Sequence, residues 1–104
     1  MVNTNELERK LREIADYYGF EAQANQVIEE CSELIQAIAK YNRTKGNGYD
    51  TPVTSAAAIT KIVEELADVQ LVVCQLVYLL KCGDEVLEIT NEKADRQLGR
   101  ISKK

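Results

Sequence analysis

Apolar positions along the chain recur at helical spacing, and nowhere do they alternate over a length that predicts a strand. Leu7, Leu11, Ile14 and Tyr18 stand at i, i+4, i+7 and i+11 and predict a first amphipathic helix, which Gly19 ends. A second helix is predicted from about Glu21 to Asn42, with Val27, Ile28, Cys31, Leu34, Ile35 and Ile38 on one face. Gly46-Asn47-Gly48, Asp50 and Pro52 then punctuate the chain and predict a flexible loop over about 43–54. Thr54 or Ser55 is placed to cap a third helix running to Cys82, with Gly83 just past its end. Asp84 is the expected N-cap of a fourth helix reaching about Ile101 and packing through Leu87, Ala94, Leu98 and Ile101.

The third helix changes character along its length. Its first half is amphipathic, but from Val69 onward Leu71, Val72, Cys74, Tyr78 and Leu79 spread apolar groups around the circumference. A helix that is apolar all round needs cover on all sides. Four helices in one chain of 104 residues supply little of it, so a second chain is expected to do so. The pattern therefore predicts an all-α four-helix bundle, a single domain over residues 1–104, completed by oligomerisation as a homodimer or homotetramer.

Composition narrows the chemistry. The net charge of −4 disfavours sequence-independent nucleic-acid binding, which needs a basic surface. The absence of histidine removes Ser-His-Asp and Cys-His catalysis, His-ligated zinc and Glu-x-x-His di-iron sites. Cys31, Cys74 and Cys82 show no C-x-x-C spacing and read as small buried hydrophobes of a reduced protein. Residues 1–12 are polar, without the apolar region of a signal peptide, and Val69–Leu80 is too short to span a bilayer. No membrane partner and a cytoplasmic location are expected.

Sliding the chain against itself by 35 residues lays Val27-Ile28-Glu29-Glu30-Cys31-Ser32-Glu33-Leu34 over Ile62-Val63-Glu64-Glu65-Leu66-Ala67-Asp68-Val69. Acid meets acid, and apolar meets apolar except at Ser32 and Ala67. At about 100° per residue, Glu30 and Glu65 fall at the margin of the apolar faces, with Glu33 and Asp68 about 60° further out. Each pair is i, i+3, close enough for both carboxylates to approach one point. Helices packed through their apolar stripes would set four carboxylates along one groove. Glu29 and Glu64 lie further round, towards solvent.

A lone Glu-x-x-Glu on a helix is ordinarily a solvated surface. Two in matched phase, beside the apolar stripe, are different: gathered like charges repel and lose solvation, and a hard divalent cation offsets that cost. Mg²⁺ takes carboxylates, keeps some waters and accepts phosphate oxygens as its remaining ligands.

At these residues the chain resembles the all-α nucleoside triphosphate pyrophosphohydrolases of the MazG-like superfamily, whose signature is Glu-Glu-x-x-Glu on one helix and Glu-x-x-Asp on the next. Here it reads Glu29-Glu30-Cys31-Ser32-Glu33 and Glu65-Leu66-Ala67-Asp68, and the likeness extends over about Phe20 to Arg100. The stretch between the two motifs is longer than usual in that family, by residues of the Gly/Pro loop. The resemblance implies that Glu30, Glu33, Glu65 and Asp68 are catalytic and hold Mg²⁺, or Mn²⁺ in its place. It implies hydrolysis of a nucleoside triphosphate, non-canonical ones included, to monophosphate and pyrophosphate, a house-cleaning of the nucleotide pool. It also implies that Lys93, Arg96 and, more weakly, Arg100, within about 60° of one another on the fourth helix, bind the substrate's phosphates. Lying opposite that helix's packed face, they would serve their own site or a neighbouring subunit's.

For the base, the loop's Tyr49 is the candidate contact; Gln23, on the flank of the carboxylate face, is a candidate hydrogen-bond partner of ligand or metal-bound water, whereas Gln26 reads as a surface amide. Competing readings are a phosphoribosyl-ATP pyrophosphatase-like activity, which shares the acidic helices, and a non-catalytic helical interaction module. A Ca²⁺ or Mg²⁺ binding protein is disfavoured because the ligands lie on helices and not in an EF-hand loop. Base and sugar preference and the number of metal ions stay open.

Overall fold

The structure, a computed structural model, describes residues 1–45 and 53–103. These form four α-helices and, among the described residues, no strand: α1 (Thr4–Tyr18), α2 (Phe20–Arg43), α3 (Ser55–Leu80) and α4 (Gly83–Ser102). Tyr49 and the Gly/Pro cluster of the expected loop lie outside the described residues.

Local chemistry explains most of the helix ends. The Asn3 side chain accepts from the backbone N–H of Asn5 and Glu6 and starts α1. Gly19 ends it at φ 85°, a conformation that L side chains rarely adopt, and α2 begins at the next residue. Thr54 caps α3 by accepting from the N–H of Ala57 at 3.1 Å.

The α3–α4 corner departs from expectation. The left-handed residue there is Lys81, at φ 55° and ψ 37°, and not a glycine. Gly83 is already the first residue of α4, and its N-cap is Cys82, without a side-chain cap bond. Asp84 therefore stands inside the first turn, where with Glu85 its charge complements the positive helix end and does not cap it.

The heart of the fold is the antiparallel pair α2 and α3. Its register is set by two side-chain bonds, Gln23 to Gln75 near one end and Thr44 to Ser55, 2.8 Å, at the other. The numbers of facing residues thus add to 98 or 99, which puts Glu33 level with Glu65 and Glu30 level with Asp68. α1 lies across this pair. Ala15 is wholly buried, and the Tyr78 hydroxyl donates to the Asp16 carboxylate at 2.9 Å, with the Arg12 guanidinium over the Tyr78 ring. Among the described residues α4 touches only α3 and buries no side chain.

The seam between α2 and α3 also differs from expectation. Its buried positions are small or polar (Gln23, Ala37, Ala58, Glu65, Val72 and Gln75), while Ile28, Ile35, Val63 and Leu66 are 50–69% exposed. The helices have turned their acidic and small-residue face inward, because alanines permit close approach where branched side chains hold helices apart. Leu87, Leu98 and Ile101, the expected packing positions of α4, are likewise exposed. Of the apolar groups among the described residues only Ala15, Ala37, Ala58 and Val72 are buried, too small a core for a chain of this size.

Candidate metal centre

Two turns beyond the Gln23–Gln75 bond, the seam passes from amides to carboxylates. Glu30, Glu33 and Glu65 bring one oxygen each to within 4.8 Å of one another. Glu65 is 3% exposed, buried because it projects into the seam and not along its margin. Oε2 of Glu30 and Oε2 of Glu65 are both buried without a hydrogen-bond partner. A buried carboxylate oxygen with no partner costs about 1–3 kcal/mol or more. Burial first, and then the neighbouring carboxylates of Glu33, Asp68 and Glu65, hold the Glu30 carboxyl above its ordinary range.

Asp68, the fourth acid of the expected set, does not bring an oxygen into that 4.8 Å group. It stands level with Glu30, is exposed, and acts on Glu30 through its charge. Glu29 and Glu64 lie outside the seam, as the angular argument requires. Glu29 is exposed and accepts a long bond from Gln26, and the Glu64 side chain is 62% exposed.

Three hard oxygen donors with two unpartnered buried oxygens fit a small divalent cation such as Mg²⁺, whose charge would offset their repulsion. The donor set also excludes a softer choice. Cys31, one residue from Glu30, is not in the cluster, and the chain has no histidine.

The other expected contacts fall around this centre. Gln23 is 5% exposed and donates through Nε2 to Oε1 of Gln75, itself 1% exposed. This amide pair walls a cavity of about 510 Å³ together with Tyr18, Gln26, Leu71 and Val72. Lys93, Arg96 and Arg100 do gather, with Gln97, around a hollow of about 210 Å³ on α4. Since α4 reaches only α3 and joins it just past Leu80, these cations stand far along the chain's own helix from Glu65 and Asp68.

One cation does touch the acids, and it was not among those expected. Lys61 lies with its ammonium 3.0 Å from Oε1 of Glu65 and 3.7 Å from Oε2 of Glu64. The hydrogen bond that Lys61 donates to Glu65 leads the causes that raise the Lys61 pKa. Its i, i+4 spacing to Glu65 is a readable signal that attention to the repeated acids passes over.

No helix among the described residues is long and apolar enough to cross a membrane. No curated protein and no solved structure matches the chain. The family model of the MazG nucleotide pyrophosphohydrolase domain matches residues 19–98, a span that takes in both acidic motifs, the Gln23–Gln75 pair and the basic residues Lys93 and Arg96. With three acids converging in the seam of α2 and α3 and most of its length matched, the chain belongs to the MazG nucleotide pyrophosphohydrolase family.

Proposed function

We propose that this protein hydrolyses a nucleoside triphosphate to the monophosphate and pyrophosphate, with Mg²⁺ held by Glu30, Glu33 and Glu65 and with Asp68 completing the set. The observation that carries the reading is the pair of unpartnered buried oxygens on Glu30 and Glu65, two residues of one acidic cluster. When bound, the cation would neutralise phosphate charge, lower the pKa of a water and align its attack on the α-phosphorus.

The chain's own residues supply the rest. Glu65, fixed by burial, and Glu30, one helix away, keep the cluster's spacing from varying with solvent. A carboxylate of the cluster is placed to receive the proton that the attacking water gives up, so no histidine base is needed. The Gln23–Gln75 bond pins the register of α2 on α3 and so the distance between the two acidic motifs. The cavity beside it, apolar along Leu71 and Val72 and polar at its amides, suits a nucleobase, with Gln23 as a candidate contact.

The same reading makes the protein a homodimer or homotetramer. Exposed apolar faces on α2, α3 and α4 need a partner, and a second copy would bring Lys93, Arg96 and Arg100 to a neighbour's phosphates. The purpose that fits is removal of non-canonical nucleotides from the pool.

The test is pyrophosphate release from a panel of canonical and modified nucleoside triphosphates and phosphoribosyl-ATP, with Mg²⁺ and with EDTA. Mg²⁺-dependent release of pyrophosphate with the monophosphate is expected. Release of single phosphates would overturn the reading, and so would silence across the panel from the folded protein.

A further inference from the structure

The groove between α2 and α3 does not end at the acidic cluster. One turn further towards the ends joined by Thr44 and Ser55, a cavity of about 230 Å³ opens, lined by Glu33, Gln36, Ala37, Lys40, Lys61 and Glu65. The α2 members stand at i, i+3, i+4 and i+7 from Glu33, a single helix face, and the α3 members are an i, i+4 pair. In the register of the hairpin Lys61 is level with Ala37, which is 3% exposed, so the floor of the cavity is a methyl group where a longer side chain would fill it. Two acids and two lysines line one small space, and only one of the lysines is held by the acids.

The two oxygens of Glu65 face different duties. Oε1 takes the Lys61 ammonium at 3.0 Å, Oε2 is buried without a partner, and the carboxylate as a whole belongs to the cluster with Glu30 and Glu33. A cation on Oε2 and the ammonium on Oε1 would thus stand side by side on one rigid carboxylate. Glu65 has 4% of its side chain exposed and cannot swing, whereas the Lys61 side chain is 58% exposed and free to follow a ligand. The base-sized cavity at Gln23 and Gln75 lies on the other side of the acids, so the groove runs from amides through acids to ammoniums.

We propose that Lys61 and Lys40 bind the pyrophosphate end of the substrate within the same chain, on the side of the acidic cluster away from the base. This inference rests on the pyrophosphohydrolase reading and adds the direction in which the nucleotide lies. As water adds to the α-phosphorus and the bond from it to the bridging oxygen breaks, negative charge gathers on the departing pyrophosphate. Two ammonium groups offset that charge where it develops. Lys61, oriented by Glu65, meets the phosphate next to the cluster, and Lys40, two turns from Glu33, meets the outer one.

The test is equilibrium binding of inorganic pyrophosphate in MgCl₂, by calorimetry, to the intact protein and to Lys61→Met, Lys61→Arg and Lys40→Met, with a nucleoside monophosphate as the control ligand. Each methionine variant is expected to weaken pyrophosphate binding about tenfold or more, the worth of one charge-assisted contact. Lys61→Arg is expected to recover most of it, and monophosphate binding to stay within about twofold. Helical circular dichroism checks that each variant is folded, as expected for side chains exposed on helix surfaces. Unchanged pyrophosphate affinity in Lys61→Met, with the unsubstituted protein still releasing pyrophosphate from triphosphates, overturns this inference and leaves the proposed activity standing. Equal weakening of pyrophosphate and monophosphate also overturns it, because Lys61 would then only balance the charge of Glu65. An unsubstituted protein that neither releases nor binds pyrophosphate overturns both.

Discussion

The α2–α3 hairpin and α4 are built from similar material and end differently. Both alternate acids with apolar groups at helical spacing, yet the hairpin buries Glu65 and a glutamine pair in its seam while α4 buries nothing. The hairpin spends its closest packing on polar groups. Its Ile28, Ile35, Val63 and Leu66, like Leu87, Leu98 and Ile101 of α4, are left outside. A chain that meant to stand alone would do the reverse, because apolar burial is what offsets the entropy of folding. The contrast divides the labour: the single chain fixes the spacing of the acids, and on the proposed reading assembly would supply the hydrophobic core.

The strongest way to break this comparison is at the acids. Glu65→Gln should lower pyrophosphate release by about two to three orders of magnitude, the scale on which removing one charge-stabilising group acts in other enzymes. The variant should stay folded, with a melting temperature equal to or above that of the parent in EDTA, since like-charge repulsion with Glu30 and Glu33 is relieved. Retained turnover would remove Glu65 from the site.

At α4 the prediction concerns mass. The double substitution Leu98→Asp and Ile101→Asp should weaken self-association at least about a hundredfold, given about 1.5–3 kcal/mol for each large apolar side chain buried. Sedimentation should then find lighter species with helical content kept. An unchanged mass distribution would make α4 a solvated arm and move the interface to the outward face of the hairpin.

The smallest effect is on pH. Folding raises the Glu30 carboxyl above its ordinary value of 4.5, so the folded chain binds its proton more tightly than the unfolded one. The corresponding stability is fully present below the ordinary value and is lost as pH rises through the folded one. Without metal, the melting temperature should fall slightly between pH 4.5 and 7, Glu30→Gln should flatten that slope, and Mg²⁺ should reverse it by favouring the ionised form. A slope unaffected by the substitution would assign the pH dependence elsewhere.

Legibility in the sequence tracked the range of the forces involved. Helix positions followed from spacing, and Asn3, Gly19 and Thr54 act within a few residues of themselves. At the α3–α4 corner the spacing points to Gly83, whereas the left-handed turn falls on Lys81 and Gly83 opens α4. The duplicated motif is enough to single out the acids. That Glu30, Glu33 and Glu65 converge while Asp68 stands off depended on the hairpin's rotation. The α4 cations, the expected phosphate ligands, lie apart from the acids within one chain, whereas Lys61 touches Glu65 without belonging to the repeated motif.

The sequence by itself determined that the protein is helical, where its helices run, and that two of them carry matched acids, because these depend on periodicity and local chemistry. The tertiary structure alone decided which face of each helix turned inward. Rotating a helix by a third of a turn exchanges an apolar seam for an acidic one without changing a residue. Here close-packed alanines and the bond between Gln23 and Gln75, 52 residues apart, made that choice.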